Sequence, residues 1–125
     1  MLLQDFYTIV SKDAVSDGNF TVNIHVNAAH EVFKGHFPGN PVMPGVCMMQ
    51  IIKELTEEII ESNLFMQSLS NVKFMALINP DKTPTLRLEL NVSETEDNLV
   101  KVKNTTYFND TVALKLASTY KKVQS

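Results

Sequence analysis

One segment of this chain has the periodicity of a helix, and it sits between segments that alternate like strands. From Val46 onward, Met48, Ile51, Ile52, Leu55 and Ile59 recur at intervals that line one helical face. The first half, Val46 to Met49 with Ile51 and Ile52, is apolar nearly all round. The second half carries Lys53, Glu54, Glu57, Glu58 and Glu61. That gradient predicts a helix whose front is buried on several sides and whose back surfaces. Pro44 and Gly45 stand at its expected N-terminus, where a missing N–H costs nothing. A lone helix with an apolar front has to be enclosed by the rest of the chain.

The rest of the chain offers strands. Residues 6–10 read as a short strand, and Asp17-Gly18-Asn19 as a turn. Residues 20–26 alternate, with Phe20, Val22, Ile24 and Val26 on one face and Thr21, Asn23 and His25 on the other. After the helix, residues 72–78 read as a strand. Leu86, Leu88, Leu90 and Val92 then alternate with Arg87, Glu89 and Asn91. A turn over 94–98 leads to a strand at 99–108, and the turn signal Asn109-Asp110 leads to a last strand at 111–120. The order β-β-helix-β-β-β-β implies an α+β domain over residues 1–125, an antiparallel sheet wrapped around one long helix.

Composition excludes several classes. Hydrophobic residues make up 44% of the 125 and charged residues 20%, the balance of a chain that folds around a core. Cys47 is the only cysteine, so no intrachain disulfide forms, which fits a reducing compartment. The start MLLQDFYTIV lacks the basic segment of a signal peptide, and no stretch reaches the roughly 18 apolar residues of a membrane span. A net charge of −3 with Arg87 as the single arginine argues against nucleic acid as a partner. The expectation is a cytoplasmic protein. His25 and His30 have no ligand spacing around them, so no metal site is expected.

Between the second strand and the helix runs GHFPGNPVMPGV, residues 35–46. Pro38, Pro41 and Pro44 fix φ at three points and bias Phe37, Asn40 and Met43 toward extended backbone. Such a loop restricts where His36 can point. At Gly45 the free N–H groups and positive dipole of the helix start face the loop. A histidine beside such donors suits removal of a proton next to a carbonyl, with the N–H groups stabilising the enolate-like oxygen.

HFPGNPVMPGV at 36–46 resembles the signature of the β-hydroxyacyl-[acyl-carrier-protein] dehydratases of the FabZ/FabA type. The likeness extends upstream through Glu31-Val32-Phe33-Lys34-Gly35 and downstream to Asn71-Val72-Lys73-Phe74 and Pro80-Asp81. The resemblance implies the hotdog fold, a homodimer with its site at the subunit interface, and no cofactor beyond the phosphopantetheine that arrives with the substrate. It implies His36 as catalytic base and the Gly45 N–H as the donor polarising the thioester carbonyl. It also implies a carboxylate from the helix of the other subunit, at a position that here holds Gln50.

An amide cannot supply that proton, though it can orient a water or the substrate hydroxyl. Glu54 lies one turn on, on the same face. It either supplies the acid or belongs to the solvated half of the helix with Glu57, Glu58 and Glu61. Phe33, Phe37, Met43, Val46, Met48, Met49 and Phe74 could line an acyl slot, since methionine adapts to flexible chains; singly, each is equally a core residue. Cys47, in the first helical turn, reads as a wall or core residue rather than a nucleophile. Docking of an acidic carrier protein would need a local basic patch, for which Lys34, Lys73, Lys82 and Arg87 are candidates.

The leading reading is dehydration of a 3-hydroxyacyl thioester, on acyl-carrier protein or coenzyme A, to the trans-2-enoyl form. The alternatives are a hotdog thioesterase, or a relative that binds acyl carriers without the acid.

Overall fold

A computed structural model of the chain describes residues 5–33 and 42–123. Six strands form one antiparallel sheet: β1 (Tyr7–Ser16), β2 (Asn19–Val26), β3 (Leu64–Phe74), β4 (Thr85–Glu94), β5 (Leu99–Phe108) and β6 (Thr111–Lys122). Their order across the sheet is β1-β2-β4-β5-β6-β3. A short 3₁₀ turn at Glu31–Phe33 precedes α1 (Gly45–Ile60), the single α-helix among the described residues. Every second residue of β2, β4, β5 and β6 turns inward. Val22, Ile24, Leu86, Leu88, Val100 and Leu116 pack with Met48, Ile51, Ile52 and Leu55 of α1 in one core. This is the predicted α+β layout, with the helix held against one face of the sheet.

The alternating strands match the sequence pattern closely, and the two sheet edges do not. β1 runs on to Ser16 rather than stopping near residue 10. Its pairing with β2 skips Val10 and Val15 at two bulges, so both valines are exposed and the alternation is lost. The strand expected at 72–78 instead occupies Leu64–Phe74. Register shifts between Met66 and Ser68 and between Ser70 and Lys73 break its period, with Asn71 at φ 52°. Residues 75–78 follow as irregular backbone.

The front of α1 also differs from expectation. Cys47, Met48, Ile51 and Ile52 are buried, but Val46 is 71% exposed and Met49 and Gln50 are half-open. Among the described residues the sheet covers one side of the helix, and none of them covers the outward stripe.

Candidate active site

The start of α1 is built from two short restraints. Met43 N–H donates to the Ile78 carbonyl at 2.8 Å, tying the approach to the helix against the segment that follows β3. Pro44 is the N-cap, with φ −66° and ψ 142°, and its carbonyl accepts from Cys47 and Met48. The N–H groups of Gly45 and Val46 come before the first intrahelical bond and have no acceptor within the helix. Phe74, the last residue of β3, lies directly over Gly45. A Cβ added there would sit 2.7 Å from Phe74 Cζ, so the ring can approach the helix start because the residue is glycine.

Ala113 fixes the opposite wall. The β5–β6 register passes from Thr106↔Leu114 to Tyr107↔Val112, so Ala113 bulges out of the ladder. Its carbonyl accepts from the N–H groups of both Met75 and Ala76, at 2.8 and 3.3 Å. The result is an open-mouthed cavity of about 420 Å³ at the helix N-terminus, lined by Met43, Gly45, Met48, Phe74, Leu77 and Ala113 among others. Its walls are mainly apolar and its floor is the first turn of a helix. That combination suits a flexible acyl chain with a polar head.

Farther along the helix, Gln50 and Glu54 are joined. Gln50 Nε2 donates to Glu54 Oε2 at 2.9 Å, and the hydroxyl of Tyr7 donates to Glu54 Oε1 at 2.9 Å. Glu54 is half-buried and held between β1 and Gln50, unlike the exposed Glu58 and Glu61. Burial, then the hydrogen bond to Glu54, push the Tyr7 phenol well above its usual range. Burial likewise raises the Cys47 thiol, which lies in the core against an apolar wall.

Of the residues singled out in the sequence, Met43, Gly45 and Phe74 meet at the cavity, with Met48. Val46 and Met49 lie on the open stripe of α1 next to Gln50. Phe33 is buried elsewhere, stacked on Phe6 with ring centroids 5.4 Å apart. His36 and Phe37 lie outside the described residues. Tyr7 was not singled out, because nothing in the sequence links it to a helix residue 47 positions away. Ala113 was missed because it sits at a register irregularity, and Leu77 because residues 75–78 read as strand but form irregular backbone. Among the described residues no cluster of side chains has the makings of a metal site, and no helix is long and apolar enough to cross a membrane.

The family model of the ApeI-like dehydratases matches residues 12–116. The chain belongs to that family. Its wider kinship is with the FabZ/FabA-like hotdog dehydratases. It is 30% identical to the 3-hydroxyacyl-[acyl-carrier-protein] dehydratase FabZ of Lactobacillus helveticus (strain DPC 4571), over 95% of this chain and 86% of that one. The FabZ of Fusobacterium nucleatum subsp. nucleatum is 29% identical over 77% of this chain and 70% of its own. Among solved structures, the dehydratase heterocomplex ApeI:P from Xenorhabdus doucetiae superposes with a TM-score of 0.69 at 19% identity, covering 94% of this chain and 97% of that one. A hypothetical thioesterase with coenzyme A from Streptococcus pneumoniae TIGR4 also gives 0.69, at 12% identity, covering 99% and 92%. At such identities these two matches speak for the hotdog fold of this ApeI-like chain and not for its reaction.

Proposed function

We propose that this ApeI-like chain removes water from a 3-hydroxyacyl thioester to give the trans-2-enoyl thioester. The observation that carries the reading is the meeting of the Gly45 helix start with the apolar cavity under Phe74. His36 takes a proton from the α-carbon while the Gly45 N–H stabilises the negative charge developing on the thioester oxygen. The α-carbon's electron pair forms the double bond, the β C–O bond breaks, and the same proton leaves with the hydroxyl as water. Gln50 has no proton to give; its part is to hold the hydroxyl, and Glu54 acts through Gln50. No metal or redox cofactor enters this scheme, and the phosphopantetheine arm comes with the substrate.

The working unit in this reading is a homodimer joined along β3. That strand stands at the edge of the sheet among the described residues and exposes Phe65, Leu69 and Phe74. A partner there would also cover the open stripe of α1. The carrier is an acidic protein. Of the candidate docking residues, Lys34 lies outside the described residues and Lys82 sits in a loop. Lys73 and Arg87 belong to a larger set, because Lys101, Lys103, Lys115 and Lys121 share the outward face of β4, β5, β6 and β3 with them. These are six of the chain's eleven basic residues, on a molecule of net charge −3. The carboxylates of these four strands, Glu89 and Glu94, are both paired, with Arg87 and Lys122. Lys73 and Lys115 stand directly opposite each other, a placement that costs stability. The adjoining pair, Phe74 and Leu114, lines the cavity.

The test is the purified chain with 3-hydroxyacyl and saturated acyl thioesters, His36→Ala run in parallel. Loss of water dependent on His36 supports dehydration. Release of free thiol would make the chain a thioesterase, and tight binding without turnover an acyl-binding relative. Carrier docking predicts that Lys73→Glu with Lys115→Glu raises KM for the carrier-bound substrate and leaves a pantetheine thioester unaffected.

A further inference from the structure

The Tyr7–Glu54–Gln50 chain decides which end of the Gln50 carboxamide faces away from Glu54. A carboxylate is an acceptor at both oxygens, and here each oxygen already accepts a bond, from Tyr7 and from Gln50. Against it the Gln50 side chain must present its NH₂ end, because two acceptors face to face repel. The carbonyl oxygen Oε1 is therefore turned the other way. Gln50 is half-open on the stripe it shares with Val46 and Met49, and its Oε1 accepts no hydrogen bond among the described residues. What it offers there is an acceptor.

An acceptor selects donors. A 3-hydroxyl can donate to Oε1 while its lone pairs remain free for the proton it needs on leaving. A 3-oxo group is itself an acceptor and would leave both oxygens unpaired and partly desolvated, which a site built for a hydroxyl penalises. Without its fixed partner the carboxamide could rotate by half a turn, offer NH₂ instead, and lose the distinction.

We propose that Tyr7 and Glu54 are positioning residues that lock the Gln50 carboxamide carbonyl-outward, so that it selects a 3-hydroxyacyl over a 3-oxoacyl thioester. The proposal rests on the dehydratase reading for its substrate class. Tyr7 acts at one remove: its hydroxyl fixes the Glu54 carboxylate, which orients the amide.

The probes are the pantetheine thioesters of 3-hydroxyoctanoate and 3-oxooctanoate, with binding measured calorimetrically in the His36→Ala background to prevent turnover. The parent should favour the hydroxy probe. Tyr7→Phe and Glu54→Gln should each reduce that preference by about 2- to 10-fold, the range of one neutral hydrogen bond. The reduction should include tighter binding of the 3-oxo probe, which a general loosening of the fold would not produce. Should either variant fold poorly, the ¹⁵N side-chain amide resonances of Gln50 in the unmutated chain serve instead. Protons held by a carboxylate appear downfield and exchange slowly; an averaged, fast-exchanging pair overturns the lock. An unchanged ratio in both variants, or parallel weakening of both probes, also overturns it. Dehydration is scored separately with His36 intact. Water loss with an indifferent ratio sinks the selection and leaves the reaction standing; no water loss with a Tyr7-dependent ratio does the reverse.

Discussion

Placing a methyl group on Gly45 would change the sign of its effect according to what residue 74 is. The added Cβ would lie 2.7 Å from Cζ and 3.2 Å from Cε1 of the Phe74 ring, where ordinary contact begins near 3.4 Å. The ring has to move by several tenths of an ångström or more. Overpacking in a closed core costs about 1–3 kcal/mol. Phe74 is 59% exposed and can swing outward, which points to the lower end, about 1 kcal/mol. With Phe74→Ala the obstruction is gone. Gly45 carries no positive φ, so alanine there should then stabilise by about 0.4–1 kcal/mol through the unfolded chain. The coupling between the two sites is the difference, about 1.4–2 kcal/mol, within the range seen for residues in contact. Urea unfolding of the four proteins at one protomer concentration measures it. The same ΔΔG for Gly45→Ala in both backgrounds would refute the claim that the ring sets the identity of residue 45. Turnover should track the ring: Gly45→Ala alone displaces Phe74 from the cavity wall and lowers kcat/KM.

Gln50→Glu should raise dehydration by about 10²-fold or more, the scale of a general acid. It should add a new limb to the pH–rate profile, because it places an ionisable acid where the amide has none; an unaltered profile would remove Gln50 from the chemistry. Alkali should unfold the chain early. Tyr7 and Tyr120 are both held above the usual phenol value of 10.0. Their contribution is whole below that value and is lost as pH rises above it, by up to about 1.4 kcal/mol per pH unit per tyrosine. Urea midpoints from pH 8 to 11 should fall above pH 10, and less steeply for Tyr7→Phe. Glu61 caps α1 in the left-handed region at φ 54°, so Glu61→Gly should raise stability by about 1 kcal/mol in the same denaturation assay.

Legibility in the sequence followed physical regularity. The four strands β2, β4, β5 and β6 pair on both sides and turn one face to the core, so their side chains alternate and their limits could be read. β1 and β3 stand at the two ends of the sheet and, among the described residues, pair on one side. Their bulges put Val10, Val15 and the stretch around Asn71 out of phase, and their extents were misjudged. The helix was legible from its period, but its outward stripe was not. An apolar residue such as Val46 reads the same whether it faces a core or an uncovered side.

What the sequence determined by itself was one helix set among alternating strands, with a glycine where that helix begins. Both are local matters of side-chain period and backbone freedom. Tertiary structure decided what meets that glycine and what becomes of the amide at residue 50. Phe74 reaches Gly45 through the end of β3. The Ala113 bulge holds the wall facing it, and Tyr7 crosses from an edge strand to fix Glu54 and, through it, Gln50. The contacts of Phe74 with Gly45 and of Tyr7 with Glu54 join residues far apart in sequence. They exist because both edge strands of the sheet, β1 and β3, bring a side chain to the helix.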